Sequence, residues 1–249
     1  MLKGTSTEPG GPHRRCRVCG HLVAVVPTIL GDATCPKCGS LLWAFPPNAI
    51  PPAHPALLAL GAVITHDDST RTWKIDLTAT DIDDDGLLLL FEAGPISELI
   101  LTDTAITNRG ARLIGQLRHL EVLELGTTKI TNATLEEIGR LRQLEVLGVF
   151  ETQITDDGLK HLQALHRLWC LDIDQTQVTD EGILHLAPLA NLEWLFLSET
   201  QVTDLSIRRL TRFERLEELH LCGTSVTTNG LLALRQRLPR CRINWEPRR

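Results

Sequence analysis

No stretch of this chain approaches the roughly 18 consecutive apolar residues that a membrane-spanning helix needs. Runs such as the one at 87–91 are far too short. An apolar targeting segment is also missing, because residues 1–15 are polar and hold glycine, proline and charges. From these absences a cytoplasmic chain without a membrane span is expected. The acceptor triplet Asn132-Ala133-Thr134 then carries no glycosylation meaning. Catalytic signatures are lacking too: G-x-S-x-G, H-E-x-x-H and G-x-x-x-x-G-K-S/T do not occur, which argues against an enzyme. Positive charge is scarce where it would matter for nucleic acid. The net charge of −6 divides into +3 over residues 1–60 and −9 over residues 61–249. An acidic segment of that size is a poor partner for phosphate. Finally, Cys170, Cys222 and Cys241 are scattered and odd in number, so a disulfide framework is not expected.

What is present begins with four other cysteines. Cys16-Arg17-Val18-Cys19-Gly20 and Cys35-Pro36-Lys37-Cys38-Gly39 are two C-x-x-C-G knuckles, with fifteen residues between Cys19 and Cys35. Each knuckle is a tight turn that aims two thiolates at one point, and the glycine lets the backbone turn without a Cβ clash. Cys16, Cys19, Cys35 and Cys38 together supply the four sulfurs of a closed tetrahedral Zn2+ site. With no open coordination position, the zinc is expected to be structural. A redox dithiol would want one C-x-x-C beside a βαβ pattern, which is absent. The segment at 14–45 resembles the zinc-ribbon family. Residues 1–13 read as a flexible N-terminus. Five prolines at 46–55 mark a semi-rigid spacer, placed at 46–56.

The rest of the chain repeats every 24 residues. Leu99, Leu123, Leu147, Leu171, Leu195 and Leu219 form one column. Leu101, Leu125, Val149, Ile173, Leu197 and Leu221 form another. A third column runs from Ile82 through Ile106, Ile130, Ile154, Val178 and Val202 to Val226, and a threonine column from Thr80 to Thr224 is unbroken. The L-x-L pair is a short strand with alternate residues buried, paired to its equivalents one repeat away in a parallel sheet. The threonine hydroxyls are expected to satisfy donors of the adjacent turn. Thr155-Asp156-Asp157 and Thr179-Asp180-Glu181 read as helix N-caps with acids in the first turn. No unit buries its apolar face alone, so stacking supplies the core.

The unit L-x-x-L-x-L-x-x-T-x-I-T-D-x-G-L, clearest at 144–159 and 168–183, resembles the leucine-rich-repeat family over residues 72–239, as seven units. Its I-T-D-x-G-L tail is similar to the cysteine-containing subtype of F-box proteins and to bacterial arrays of 24-residue units. The resemblance implies an α/β solenoid, a leucine-rich-repeat horseshoe with a parallel concave sheet and convex helices, preceded here by the small zinc ribbon. Residues 57–71 are expected to form an N-terminal cap and 240–249 a C-terminal cap, where Ile243 and Trp245 fall on strand columns.

Strand alternation nominates a binding face. Trp194 and Phe196 point to the concave side, joined there by Phe150, Asp172, Asp174, Glu218 and His220. Aromatics ringed by acids suggest an anchor for a basic or amphipathic protein segment, set against a bland reading as local packing or an oligomer contact. A calcium-loop pattern over 81–92 is discounted, because it coincides with repeat positions and follows a strand rather than a helix. His161 and His185, equivalent in successive helices, read as solvated. The expectation is an intracellular protein-interaction module with a zinc ribbon as tether or second contact. Alternatives are a substrate-receptor-like component of a ubiquitin-ligase-type complex, implied by the F-box resemblance, or a nucleic-acid-associated adaptor acting through Arg14, Arg15 and Arg17. The ribbon stands where an F-box module would be expected, and so few neighbouring cations would bind nucleic acid only weakly.

Overall fold

The computed structural model describes residues 13–15, 22–24 and 54–247. The four paired cysteines and the spacer at 46–53 lie outside the described residues. The first two segments, β1 (His13–Arg15) and β2 (Leu22–Ala24), pair antiparallel with Arg14 opposite Val23.

From residue 54 the chain is a solenoid. It starts with α1 (His54–Ala59) and β3 (Val63–Asp67), which runs antiparallel to β4 (Thr72–Asp76). Parallel strands then follow in chain order: β5 (Ile96–Ile100), β6 (Val122–Glu124), β7 (Val146–Gly148), β8 (Cys170–Asp172), β9 (Trp194–Phe196), β10 (Glu218–His220) and β11 (Arg242–Asn244). From β5 to β11 the register advances by one 24-residue period per strand, as in Leu123 opposite Leu147 opposite Leu171. The opposite side carries short helices of one to two turns, α2 (Asn108–Ile114), α3 (Asn132–Ile138), α4 (Asp156–Leu159), α5 (Asp180–His185) and α6 (Ile207–Leu210), and the longer α7 (Thr228–Arg237). The three hydrophobic columns lie between the layers in one continuous core, essentially without solvent exposure. The repeat is too short for a long helix, so α4 passes directly into a 3-10 turn at Lys160–Leu162.

The threonine column departs in part from expectation. Thr104, Thr128, Thr152, Thr176, Thr200 and Thr224 are buried, and each hydroxyl donates to the carbonyl three residues upstream, at 2.5–2.7 Å. The column therefore bonds the adjacent turn as expected, but chiefly by satisfying an acceptor; a donor is met at Thr224, whose Oγ1 accepts the Val226 N–H at 3.5 Å. The cause is local backbone. The residue before each threonine is left-handed, with φ of 52–56° at Asp103, Thr127, Glu151, Gln175 and Glu199. This sharp turn carries the threonine back beside the carbonyl of the residue that follows the strand.

The second threonine of the repeat tail links successive units. Asp84, Asp156, Asp180 and Asp204 each accept both the backbone N–H and the hydroxyl of a threonine 23 residues on: Thr107, Thr179, Thr203 and Thr227. Those four threonines keep a lone pair free, and each also accepts a backbone N–H of its own helical turn. Where the upstream residue is asparagine, the amide of Asn108 or Asn132 donates to the threonine oxygen instead. Thr131 and Thr155 then occupy N-cap geometry without a side-chain cap bond. The expected cap at Thr155 is thus absent, and Asp156 reaches forward to Thr179 rather than serving only its own helix. The glycine of the motif has a matching explanation. A Cβ on Gly158 or Gly182 would press into the Asn132 or Asp156 side-chain oxygen. Where Thr134 and Ser206 replace the glycine, their hydroxyls donate to the oxygens of Asn108 and Asp180.

Leu57 and Ala62, at the start of the solenoid, are buried in the common core. At the other end the Trp245 indole Nε1–H donates to the Val226 carbonyl at 3.0 Å.

Candidate functional site on the concave sheet

The sheet registers place Glu124, Gly148, Asp172, Phe196, His220 and Asn244 side by side in one row across the concave face. Neighbours in such a row are about 5 Å apart. The Phe196 ring packs on the His220 imidazole with centroids 4.5 Å apart. His220 Nε2 lies 2.9 Å from a Glu218 carboxylate oxygen and 2.9 Å from the Asn244 amide nitrogen. Asp172 flanks Phe196 on the other side and accepts the backbone N–H of Asp174 at 3.0 Å. Asp174 in turn accepts the backbone N–H of Ser198. Five of the residues nominated from sequence, Phe196, His220, Glu218, Asp172 and Asp174, therefore form one patch.

Electrostatically this patch is under tension. Burial pushes the Asp174 carboxyl up to about 6, with the Asp172 charge adding to the shift, while Ser198 and His220 oppose it. Asp172 is raised for the same primary reason. Among the described residues no lysine or arginine forms an ion pair with either. Sequence reasoning missed Glu124. Its side chain lies over Gly148 toward Asp172, and burial, helped by the Asp172 and Glu98 charges, lifts its carboxyl to about 7. The available signal was the glycine: a residue without a side chain in a concave row leaves room for its neighbour to lean. Cys170, expected on this face as a free thiol, is free but buried. Burial and the nearby acids hold it up at about 12, so it stays protonated and is a poor nucleophile.

Two nominated residues stand elsewhere. Phe150 lies over Gly126 in the preceding repeat, away from the patch. Trp194 opens β9 beside Glu218 in the sheet register, but its ring turns to Trp169, edge to face, centroids 5.3 Å apart and planes at 82°. The two indoles line an open cavity of about 540 Å³ that also takes in Glu145, Glu193 and Glu217 together with Arg167, Asn191 and Arg215. Trp169 was left without a role by strand alternation, because it precedes the regular strand.

Other candidates resolve into structure. Asp83 accepts the backbone N–H groups of Asp85 and Gly86, Asp84 holds Thr107, and Asp85 pairs with Arg109, so the calcium-like run is turned toward the protein's own groups. His185 lies 3.4 Å from the Gln163 amide. No cluster of three or more metal-ligating side chains occurs among the described residues. None of the described helices is long and apolar enough to cross a membrane.

Comparison with solved structures places the architecture. An internalin C2 from Listeria monocytogenes aligns with a TM-score of 0.53 at 20% identity, covering 83% of this chain and 99% of that one. An internalin (inlF) from the same organism gives 0.49 at 17% identity, covering 68% and 52%. A leucine-rich-repeat protein of Leptospira interrogans gives 0.48 at 19% identity, covering 65% and 45%. The chain thus spans about half the length of the latter two. No family model matches the chain. No curated protein matches it either. Sheet order, register and the internalin C2 alignment together show a leucine-rich-repeat solenoid.

Proposed function

We propose that this solenoid is a protein-interaction module whose concave sheet binds a basic or amphipathic segment of a partner polypeptide. The observation that carries the reading is the patch around Phe196. A half-buried aromatic lies between Asp172 and His220, and two partly buried carboxylates lack a lysine or arginine partner among the described residues. A carboxylate raised by desolvation is relieved when a cation arrives, so a basic ligand gains energy there that a neutral one does not. An aromatic ring supplies the apolar anchor beside it. The reading is of a binding protein rather than an enzyme, working in the cytoplasm.

Capture from lysate of the source organism tests this. A partner retained by wild type at pH 7.5 should be recovered at least about tenfold less by Phe196→Ala/Asp174→Asn, the loss of one anchor and one charge contact. That variant should keep its cooperative thermal transition. Equal recovery would refute the concave patch as the site.

The second part of the proposal concerns the N-terminal cysteines. Two C-x-x-C pairs are a donor set that suits one structural Zn2+, and the ribbon they would form at 14–45 serves as tether or second contact. Purified protein should contain about one zinc per chain, and Cys35→Ser should lose it, since three thiolates no longer close the site. The melt of the repeats should survive that change. Full zinc retention in Cys35→Ser would exclude a four-cysteine site.

A further inference from the structure

We propose that the cavity beside Trp169 and Trp194 is a receptor for a single arginine side chain of the bound polypeptide. The guanidinium would stack on an indole and pair with Glu217. That the ligand is a polypeptide rests on the concave-face reading above; the chemistry of the pocket stands on its own geometry.

Three features point to this ligand. The first is shape. Trp194 is 38% exposed, and the perpendicular indole pair borders a cavity of about 540 Å³, room for one long side chain and the backbone that carries it. The second is rigidity. Glu145, Trp169, Glu193 and Glu217 are consecutive members of one 24-residue column. The N–H of Trp169 donates to the Glu145 carbonyl, that of Glu193 to Trp169, and that of Glu217 to Glu193, at 2.7–2.9 Å. The parallel ladder thus extends to the pocket wall and holds it before any ligand arrives.

The third is charge. Arg167 pairs with Glu145 and bonds the Gln143 side chain. Arg215 donates to the Asn191 amide oxygen at 2.6 Å and stands 3.9 Å from Glu193. Both native cations are therefore engaged, and neither stacks on an indole among the described residues. Glu217 is exposed and forms no ion pair among those residues. An exposed indole and a carboxylate that forms no ion pair among the described residues, lining one cavity, offer two complementary contacts to a single cation. Guanidinium fits both, because its planar, weakly hydrated face stacks on tryptophan while its edge forks to a carboxylate. Ammonium is a compact, strongly hydrated point charge and satisfies the carboxylate alone. An anion would meet three glutamates, and the two arginines of the lining, Arg167 and Arg215, are already taken by Glu145, Gln143, Asn191 and Glu193.

The test is a titration of the full-length chain, followed by the indole N–H signals of its tryptophans in nitrogen-15 NMR. Trp169→Phe and Trp194→Phe assign the two pocket signals. N-acetyl-arginine amide should shift both saturably, in the millimolar range typical of a single side-chain contact, and leave the signals of Trp73 and Trp245 in place. The isosteric but neutral N-acetyl-citrulline amide should bind about tenfold more weakly, and Glu217→Gln should weaken the arginine compound by about three- to tenfold. The proposal is overturned if citrulline or lysine amide binds as tightly as arginine amide, if Glu217→Gln changes nothing, or if the pocket signals do not move. Its fate separates cleanly from that of the concave patch. Saturable arginine binding with partner capture indifferent to Phe196→Ala/Asp174→Asn would sink the patch and keep the pocket. The converse pattern would sink the pocket alone.

Discussion

Gly139→Ala is expected to cost the repeat array about 2–3 kcal/mol, as overpacking in a tight interior typically does. At the roughly 2–4 °C per kcal/mol typical of chains this long, the melting temperature should fall by about 5–10 °C. Gly139 closes α3 with right-handed dihedrals, φ −58° and ψ −8°, so its backbone alone does not demand glycine. The demand comes from the next repeat. A Cβ there would fall well inside van der Waals distance of the His161 carbonyl oxygen, which belongs to the 3-10 turn stacked against α3. A backbone carbonyl cannot rotate away, so relief requires two repeats to separate. In a solenoid each repeat is stabilised mainly by its neighbours, and that separation weakens the array at its middle. Gly148→Ala is the control. There the new methyl meets only the end of the Glu124 side chain, which can swing into solvent. Its cost should stay below about 1 kcal/mol. Urea unfolding of both variants checks the pair; equal losses would show that inter-repeat spacing is not what Gly139 protects.

Wild-type stability should decline as pH rises from about 4.5 to about 7, and Glu124→Gln should remove much of that decline. The Glu124 carboxyl stands at about 7 in the folded chain against an ordinary value of 4.5, chiefly because burial disfavours its charged form and secondarily because Asp172 and Glu98 repel it. A carboxyl raised on folding binds its proton more tightly in the native state. Below about pH 4.5 both states are protonated and no penalty exists; above about 7 both are ionised and the penalty is complete. Allowing for its partial exposure, the cost at pH 8 is about 1–3 kcal/mol. Asp174, at about 6, acts in the same direction. Glu124→Gln should therefore be more stable than wild type at pH 8 by about that amount, and within about 0.5 kcal/mol of it at pH 4.5, where the acid is already neutral. Parallel pH profiles for the two proteins would show that Glu124 is not strained.

Much of the architecture is legible in the amino-acid sequence. Columns of Leu, Ile and Val at a constant 24-residue interval determine which residues face inward, because only stacking buries them. The I-T-D-x-G-L tail locates the helical turns, and Ile243 marks the final strand that β11 occupies. Less legible is what those motif residues do. Thr155 reads as a helix cap, yet its oxygen is used by Asn132, 23 residues earlier. The Asp-or-Asn alternation that decides this is plain in the sequence, but its consequence depends on two repeats being in contact.

The concave face divides in the same way. Column membership puts Phe196, His220, Glu218, Asp172 and Asp174 on one surface, because a side chain's face follows strand parity. Parity says nothing of which way along the row a side chain leans. That depends on the space its neighbours leave: Gly126 accepts the ring of Phe150, Gly148 accepts the carboxylate of Glu124, and Trp194 turns to Trp169. The 24-residue sequence period by itself determined the solenoid, its core and its inward and outward faces. Only the tertiary structure decided the lateral pairings, since those are set by the free volume between strands that sequence distance does not measure.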